Sequence, residues 1–301
     1  MQCNWKGIFP ALTTSFTENL EIDKSAMERR IEEQLEAGVE GFVMCGSLGE
    51  NGTLSAEEKQ EILRIALSVS NKRVPVLLGV AETTTAKACA CAKTSAANGA
   101  DGLMVLPGMQ YVSDPRETMQ HFRTVAAATD LPIMIYNNPV AYSTDITPAM
   151  FAELADEPKF VALKESSADV RRISEIIKLT GDRYQMFVGV DNLALESFML
   201  GAIGWVAGLV SAFPRETVVL IKLAEAGRYE EARALYRWFL PLLDLDVTVK
   251  FIQNIKLAGA MAGVCNEYVR PPRLPLAGDE RDEVEKIVNE ALANRPELPN
   301  I

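Results

Sequence analysis

Short apolar runs alternate with helical stretches along most of the chain. Eight runs are rich in apolar and β-branched residues, and most of them are apolar at every position, which is typical of parallel strands buried on both faces. The predicted strands are 7–16, 41–46, 75–80, 102–107, 132–139, 160–166, 184–190 and 203–209. The pattern therefore predicts eight buried strands separated by helices.

Helix start and stop signals fall between these runs. Capping residues precede several helical stretches, and these are Asp23, Ser55 with Glu58 three residues later, Asp114 before Pro115, and Thr147 before Pro148. The phrases EAGVEGFVM, ANGADGLMV and MLGAIGWVA each place a glycine after a helix and a strand shortly after the glycine. Each phrase is read as a left-handed cap followed by a tight turn.

Eight strand-then-helix units predict an α/β fold, a (β/α)₈ TIM barrel. The alternative is an open doubly wound sheet, which usually has fewer strands and often begins with a glycine-rich phosphate loop. The chain contains neither GxGxxG nor GxxxxGK[ST]. The barrel is therefore preferred.

The strand pattern stops after residue 224. Three further stretches, 227–246, 249–264 and 279–295, have the periodicity of helices, and no flexible linker separates them from the preceding units. The sequence therefore predicts a barrel over residues 1–224 and a three-helix extension over residues 225–301 packed on it.

Charge and composition exclude several classes of function. The chain has 30 basic and 41 acidic residues, a net charge of −11, and no basic run, which argues against nucleic acid and anionic membranes as partners. The N-terminal segment lacks a signal-peptide pattern and no apolar stretch approaches the about 18 residues of a membrane span, so a cytoplasmic location is expected. His121 is the single histidine, which excludes Ser-His-Asp, Cys-His and histidine-ligated metal sites. We expect no metal and no organic cofactor.

A lysine inside the apolar run FVALKESS is the first candidate for chemistry, because barrel enzymes place their active residues at the C-terminal ends of strands. Burial disfavours the ammonium form of Lys164, and a neutral amine can attack a ketone to form a Schiff base. Alternatively, Lys164 pairs with a carboxylate such as Glu165 or Asp191.

Tyr136, at the end of the preceding strand, is the second candidate. Imine chemistry needs proton transfers, and a phenol next to the amine can perform them, particularly if the hydroxyl of Ser47 extends the chain. Taken alone, Tyr136 could equally be a core tyrosine and Ser47 a turn residue. Gly46 and Gly49 permit a loop whose N–H groups bind a small carboxylate, with the following helix adding positive charge.

Three motifs, GSLGE (46–50), YNNP (136–139) and KESS (164–167), resemble the dihydrodipicolinate synthase/N-acetylneuraminate lyase family over nearly the whole chain. The resemblance implies a barrel with three extra C-terminal helices, a lysine that forms a Schiff base with a 2-keto acid, and a homotetramer built from dimers. It assigns site residues as follows: Schiff-base Lys164, proton-relaying Tyr136, the carboxylate-binding loop at Ser47, Leu48 and Gly49, backbone contacts at Gly189 and Val206, and Tyr111 as the tyrosine lent across the dimer contact.

Two departures from the family pattern concern the substrate. Leu48 stands where the family commonly has a second hydroxyl residue, and Val140, Ala141 and Tyr142 follow YNNP, where dihydrodipicolinate synthases carry a carboxylate-binding arginine. A second substrate carboxylate would then lie unpaired, so the synthase reaction is disfavoured.

The phrases GSLGENGTLSAEEK, GLMVLPGMQY, YNNPVAY and LYRWFLPLLDLD are similar to those of 1-pyrroline-4-hydroxy-2-carboxylate deaminases of hydroxyproline breakdown. The leading hypothesis is therefore dehydration and deamination of this cyclic imino acid to 2,5-dioxopentanoate and ammonia. The alternatives are a 2-keto-3-deoxy sugar acid aldolase or dehydratase, a dihydrodipicolinate synthase-like lyase, and a non-catalytic binding barrel, which the retained lysine and tyrosine argue against.

Overall fold

The strands of the computed structural model, which describes residues 3–108 and 110–301, match the eight predicted runs. They are β1 (Gly7–Pro10), β2 (Phe42–Met44), β3 (Val76–Val80), β4 (Gly102–Val105), β5 (Ile133–Asn137), β6 (Phe160–Glu165), β7 (Gln185–Val188) and β8 (Gly204–Ala207). Almost every strand residue is buried, as the apolar runs predicted. The predicted bounds were too wide mainly at β1, because residues 11–16 continue as buried loop.

All strand pairs are parallel, and the sheet order is β1-β8-β7-β6-β5-β4-β3-β2. Each strand therefore lies beside its neighbours in the chain, and β1 pairs with β8. Between β1 and β2 the joint is a single parallel bridge from Ala11 to Val43. The TIM barrel prediction is confirmed, and the pairing of β1 with β2 is the least extensive strand pairing in the barrel.

Helices cover the outside of the barrel and continue beyond it. They are α1 (Lys24–Ala37), α2 (Ala56–Ser70), α3 (Thr85–Ala97), α4 (Pro115–Ala127), α5 (Pro139–Tyr142), α6 (Pro148–Leu154), α7 (Arg171–Thr180), α8 (Ala194–Met199), α9 (Pro214–Glu225), α10 (Tyr229–Leu243), α11 (Phe251–Met261) and α12 (Asp279–Ala293). Among the described residues, no helix has both the length and the apolar character needed to cross a bilayer.

The predicted helix caps are present. Asp23 and Thr147 accept hydrogen bonds from the first turns of α1 and α6, and Ser55 and Asp114 form capping boxes with the glutamates three residues later. The three glycines of the recurring phrase all have positive φ, from 86° to 110°. Local sequence therefore determines where these helices begin and end.

The lower end of the barrel is filled by aromatic rings. Phe9 and Phe187 meet edge to face with their centroids 5.1 Å apart. Gly204 lies against the Phe187 ring, and a β-carbon there would stand 2.2 Å from a ring atom. This packing closes the barrel below the site, so the open end is at the C-terminal ends of the strands.

The C-terminal helices form extra packing on the barrel. Phe213, just before α9, meets Trp238 and Phe239 of α10 edge to face, with ring centroids 6.4 Å and 6.1 Å apart, respectively. After α10 the chain makes a 3₁₀ turn over Asp244–Val247 before α11 begins. This turn brings the extension back to the mouth of the barrel, where it meets the 3₁₀ turn Asp191–Leu193 that follows β7.

His121 has the packing role expected from its place in α4. Its Nε2 lies 3.1 Å from the carbonyl oxygen of Leu106 and its Nδ1 lies 3.0 Å from the Thr85 hydroxyl. Burial lowers the pKa of His121, which favours the neutral ring. The imidazole ties α4 to the barrel wall.

Candidate active site

The backbone register of β5 and β6 brings Tyr136 and Lys164 together. The two residues are directly paired across the parallel strands, which explains their separation of 28 residues in the chain. The Lys164 ammonium nitrogen lies 4.1 Å from the centre of the Tyr136 ring. Both side chains are buried, with 6% and 5% of their surface exposed.

Lys164 forms no ion pair with any described carboxylate. Glu165 accepts hydrogen bonds from the Asn137 side chain at 3.1 Å and from the Ser167 N–H at 2.6 Å. Asp191 accepts from the indole of Trp205 at 2.9 Å and from the backbone of Gly208 and Leu209. The two carboxylates that could have neutralised Lys164 are therefore occupied elsewhere.

Burial lowers the pKa of Lys164 below its ordinary value of 10.5, although the carboxylate of Asp246 opposes this effect, followed by Tyr142 and Asp191. A lysine held in apolar surroundings without an ion-pair partner has a larger neutral fraction than a free lysine. This is the state from which an amine attacks a carbonyl or imine carbon.

Hydroxyl groups continue from Tyr136 toward the second strand. The Asn138 side chain donates to the Tyr136 oxygen at 3.0 Å, and the Tyr136 and Tyr142 rings meet edge to face at 6.1 Å. The Tyr142 phenol shares a hydrogen bond with the Ser47 hydroxyl. Burial raises the pKa of Tyr136 to about 12 and also raises that of Tyr142, so both remain phenols at neutral pH.

Tyr142 was not among the predicted site residues. The sequence interpretation treats Tyr142 only as part of an apolar replacement for the arginine of dihydrodipicolinate synthases. In the structure, α5 directs the Tyr142 ring back toward Ser47. The sequence pattern indicates Ser47 alone as the hydroxyl group that extends the proton path from Tyr136. A tyrosine six residues after Tyr136, on a short helix capped by Asn138, was the available signal.

The loop after β2 presents unpaired N–H groups. Among the described residues, none accepts a hydrogen bond from the backbone of Ser47, Leu48 or Gly49. A 3₁₀ turn over Asn51–Thr53 lies between this loop and the following helix α2, which begins at Ala56. Any attraction for an anion therefore comes from the loop amides themselves.

Gly189 makes room for the lysine. A β-carbon at this position would stand 2.3 Å from Cε of Lys164 and 2.1 Å from the Ser166 hydroxyl. Val206 lies on β8, opposite Phe9 of β1, and is buried. Both residues lie near the C-terminal ends of their strands, on the side of the barrel away from Tyr136.

Tyr111 lies outside the site of its own chain. It is 61% exposed, and Glu117 raises the pKa of its phenol through a hydrogen bond. The structure therefore brings Lys164, Tyr136 and Ser47 together within one chain and leaves Tyr111 on the outer surface.

Glu50, the last residue of the GSLGE motif, has a different role. Its carboxylate is buried and contacts Lys256 of α11 at 2.6 Å and the Arg270 N–H at 3.1 Å. Glu50 also has a left-handed backbone, with φ of 59°. This pair fixes the candidate anion-binding loop to the C-terminal extension.

Asp246 is a second site residue that sequence reasoning missed. It belongs to the 3₁₀ turn that closes LYRWFLPLLDLD, and its carboxyl lies over Gly208, whose added β-carbon would stand 2.2 Å from the Asp246 oxygen. Predicting helices alone could not show that the extension reaches Lys164. The acidic pair Asp244 and Asp246 at a helix end was the only local signal.

Comparison with known proteins agrees with this arrangement. Residues 4–291 match the Dihydrodipicolinate synthetase family. The 4-hydroxy-tetrahydrodipicolinate synthase of Methanospirillum hungatei is 34% identical over 284 residues, which cover 93% of this chain and 95% of that protein.

Two solved structures have the same fold. The 4-hydroxy-tetrahydrodipicolinate synthase of Methylacidiphilum fumariolicum superimposes with a TM-score of 0.92 at 29% identity, covering 96% of this chain and 97% of that one. YagE of E. coli K12, a member of the same family solved with pyruvate, gives a TM-score of 0.90 at 26% identity, covering 96% and 99%. Enzymes of this family act on small keto acids and are typically oligomeric. This chain belongs to the dihydrodipicolinate synthetase family and is a lysine Schiff-base lyase.

Proposed function

We propose that Lys164 forms the Schiff base, with C2 of a small 2-keto or cyclic 2-imino acid, and that Tyr136 relays protons to and from the bound substrate. The observation that carries the proposal is a buried amine without an ion-pair partner, 4.1 Å from the ring of a buried phenol paired with it across two strands. An iminium at Lys164 withdraws electrons from C2, so the proton on C3 becomes acidic. Tyr136 accepts that proton as its own phenol proton passes to Tyr142, so the phenol stays neutral.

The substrate carboxylate binds to the N–H groups of Ser47, Leu48 and Gly49 in this proposal. These groups have no protein acceptor among the described residues, and a carboxylate can accept several amide hydrogen bonds at once. The backbone at Gly189 and Val206 lines the opposite side. Ser47 and Tyr142 connect the Tyr136 phenol to the anion-binding loop, so a proton can move along a chain of hydroxyls.

The segment after Tyr136 favours a substrate with a single carboxylate. Residues 140–142 contain no cationic side chain, and Tyr142 is directed to Ser47. A second carboxylate placed here would be desolvated without a partner, which costs on the order of several kcal/mol. The finer proposal is therefore 1-pyrroline-4-hydroxy-2-carboxylate deaminase.

The proposed reaction consumes one water overall. Lys164 Nζ attacks C2, and the bond between C2 and the ring nitrogen breaks, which opens the ring and leaves an amine on C5. Loss of the C3 proton to Tyr136 gives an enamine, whose electrons form the C3–C4 double bond as the C4 hydroxyl leaves as water. Transfer of one proton from C5 and one from its nitrogen to C3 and C4 converts the allylic amine to an imine, and hydrolysis of both imines releases ammonia, 2,5-dioxopentanoate and free Lys164.

A dihydrodipicolinate synthase-like condensation is the second candidate, and the comparisons support it better than the deaminase. The Methanospirillum hungatei relative is a 4-hydroxy-tetrahydrodipicolinate synthase, and YagE was solved with pyruvate. Both reactions begin with the same Schiff base. They differ in whether a second, carboxylate-bearing substrate binds near residues 140–142. Cleavage or dehydration of a 2-keto-3-deoxy sugar acid shares the same first step.

The test offers the purified chain each substrate class separately. With 1-pyrroline-4-hydroxy-2-carboxylate, we expect ammonia together with an aldehyde acid that a semialdehyde dehydrogenase oxidises. Condensation of pyruvate with a carboxylate-bearing aldehyde, or pyruvate release from a 2-keto-3-deoxy sugar acid, without ammonia from the pyrroline, would favour the second candidate. Failure of every substrate and of borohydride trapping would favour a non-catalytic barrel.

We also propose that the chain forms a homotetramer in the cytoplasm, works without metal or cofactor, and binds neither nucleic acid nor membranes. The exposed Tyr111 and Val112, each 61% exposed, lie in the segment assigned to the dimer contact. Sedimentation of the wild-type chain and of Tyr111→Asp tests the assembly. A wild-type monomer would contradict it.

A further inference from the structure

Two halves of the barrel mouth differ in what lies beside Lys164. On the β5 side the rings of Tyr136 and Tyr142 fill the region. On the side of β7 and β8 stand Gly189 and Gly208, and because these residues lack side chains, Lys164 and Ser166 pack directly over Gly189 and Asp246 packs directly over Gly208. A substrate held by its carboxylate at residues 47–49 and by C2 at Lys164 would place its remaining carbons on this half, away from the two tyrosine rings and beside Ser166 and Asp246.

The groups that face this glycine-lined half are polar. The Ser166 hydroxyl is buried, lies over Gly189 and has no hydrogen-bond partner among the described residues. The Asp246 carboxyl lies over Gly208. Two polar groups therefore face the position where the distal carbons of the substrate would bind.

Asp246 is suited to hold a proton because of its neighbour Asp191. The Asp191 carboxylate accepts hydrogen bonds from three N–H groups, those of Trp205, Gly208 and Leu209, and these stabilise its charge. Within residues 3–108 and 110–301, no N–H group donates to Asp246. Burial, and then the charge of Asp191 beside it, raise the pKa of Asp246 well above its usual range. Of the two carboxyl groups, Asp246 therefore holds a proton more readily than Asp191.

The 3₁₀ turn that carries Asp246 is held in place independently of the substrate. Asp244 accepts a hydrogen bond from the Asn192 side chain at 2.8 Å, and Asn254 donates to the Leu245 carbonyl at 3.1 Å. The Tyr236 phenol also donates to the Asn192 carbonyl. The extension therefore presents a fixed acid to the barrel.

We propose that Asp246 is the catalytic acid that protonates the C4 hydroxyl of the substrate as it leaves. This inference rests on the proposed deaminase function. When the enamine electrons form the C3–C4 double bond, the C4–O bond breaks and the oxygen takes the bonding pair together with the Asp246 proton, giving water. Asp246 is left as a carboxylate facing the re-formed iminium. The proton that Tyr136 removed from C3 then restores the protonated form of Asp246.

The test compares Asp246→Asn with Asp282→Asn, which makes the same change at an exposed position of α12 in the same extension. Three signals are followed with 1-pyrroline-4-hydroxy-2-carboxylate in D₂O: adduct formation at Lys164, deuterium exchange at C3, and ammonia release. Asp246→Asn should keep the adduct and the exchange but release ammonia at least about 100-fold more slowly, the typical contribution of a general acid. Asp282→Asn should resemble wild type in all three signals.

A substrate with chlorine in place of the C4 hydroxyl provides a second measurement, since chloride leaves without a proton. Asp246→Asn should then eliminate chloride within about threefold of the wild-type rate.

Each alternative outcome has a distinct meaning. Equal ammonia release by wild type and Asp246→Asn would overturn the assignment of Asp246 and leave the deaminase proposal standing. Loss of exchange together with ammonia release would show a structural role and would also overturn it. No ammonia from wild type would overturn the proposed function and the acid role together.

Discussion

The Ser47 hydroxyl and the Tyr142 phenol share a hydrogen bond at the barrel mouth although 95 residues separate them in the chain. Tyr142 also meets the Tyr136 ring edge to face, and a side-chain hydrogen bond between the two phenols affects the pKa of both, so the three hydroxyl groups form a continuous path. A proton relay inside a single chain does not depend on a side chain from a neighbouring subunit. The relay can therefore be tested by changes in this chain alone.

Tyr142→Phe removes one hydroxyl and keeps the ring. We expect turnover to fall by about 100-fold, because the path from Tyr136 to Ser47 is interrupted, while trapping of a 2-keto acid on Lys164 persists. Tyr229→Phe, at an exposed position of α10, is the matched control. Unchanged turnover in Tyr142→Phe would show that protons reach Tyr136 by another route.

Lys164→Met should abolish adduct formation. Wild-type protein treated with pyruvate and borohydride should gain the mass of the reduced adduct on Lys164, and the variant should gain none. Lys178→Met, at an exposed position of α7, is the control and should label like wild type. Labelling of Lys164→Met at another lysine would contradict the assignment of the Schiff base.

The pH dependence of trapping follows from the lowered pKa of Lys164. Burial disfavours the ammonium, so the neutral fraction exceeds that of a free lysine at every pH below 10.5. The rate of adduct formation with pyruvate should rise with pH, and the midpoint of this rise should lie below pH 10.5. N-acetyl-lysine under the same conditions is the reference, and an enzyme profile that coincides with it would refute the shift.

Gly189→Ala should impair the site without unfolding the barrel. The added methyl would stand 2.3 Å from Cε of Lys164, so the lysine must leave its present position beside Tyr136. We expect about a 100-fold loss of turnover, on the scale of a misplaced catalytic group. Gly52→Ala, where an added β-carbon meets no atom within 4 Å, is the matched control. A fully active Gly189→Ala would show that the Lys164 position is not critical.

The buried pair of Glu50 and Lys256 should dominate stability in this region. Lys256→Met leaves the Glu50 carboxylate buried without its cation, and we expect a loss of about 3–5 kcal/mol in the free energy of unfolding. Lys250→Met breaks an exposed pair with Glu280 and should cost about 1 kcal/mol or less. Urea unfolding measures both, and similar small losses would show that the buried pair is not critical.

Local patterns in the sequence determine most of the barrel. Apolar runs mark the strands because both faces of a parallel sheet are buried, and residues such as Ser55 and Gly38 mark helix ends through their own backbone contacts. The resemblance to a known family indicated Lys164 and Tyr136. The register of β5 and β6 then explains why these two residues meet.

Long-range contacts account for what the sequence could not predict. The position of the Tyr142 ring depends on how α5 is oriented after β5. The position of the Asp246 carboxyl depends on where the extension returns to the barrel. The 3₁₀ turn between the candidate anion-binding loop and α2 is tied to the barrel by Asn51, whose side chain donates to the carbonyls of Cys45 and Gly79. None of these contacts has a local sequence signature.

The ion pair between Glu50 and Lys256 couples the first third of the protein to its last quarter. A shortened chain ending before α11 would expose apolar barrel surface and leave a lone anion in the interior beside the loop that receives the substrate. Engineering a minimal catalyst from the eight repeated units would therefore require replacing Glu50 as well as resurfacing the barrel. The C-terminal helices cannot be removed without affecting the barrel, since they and the loop that contains Glu50 have to fold together.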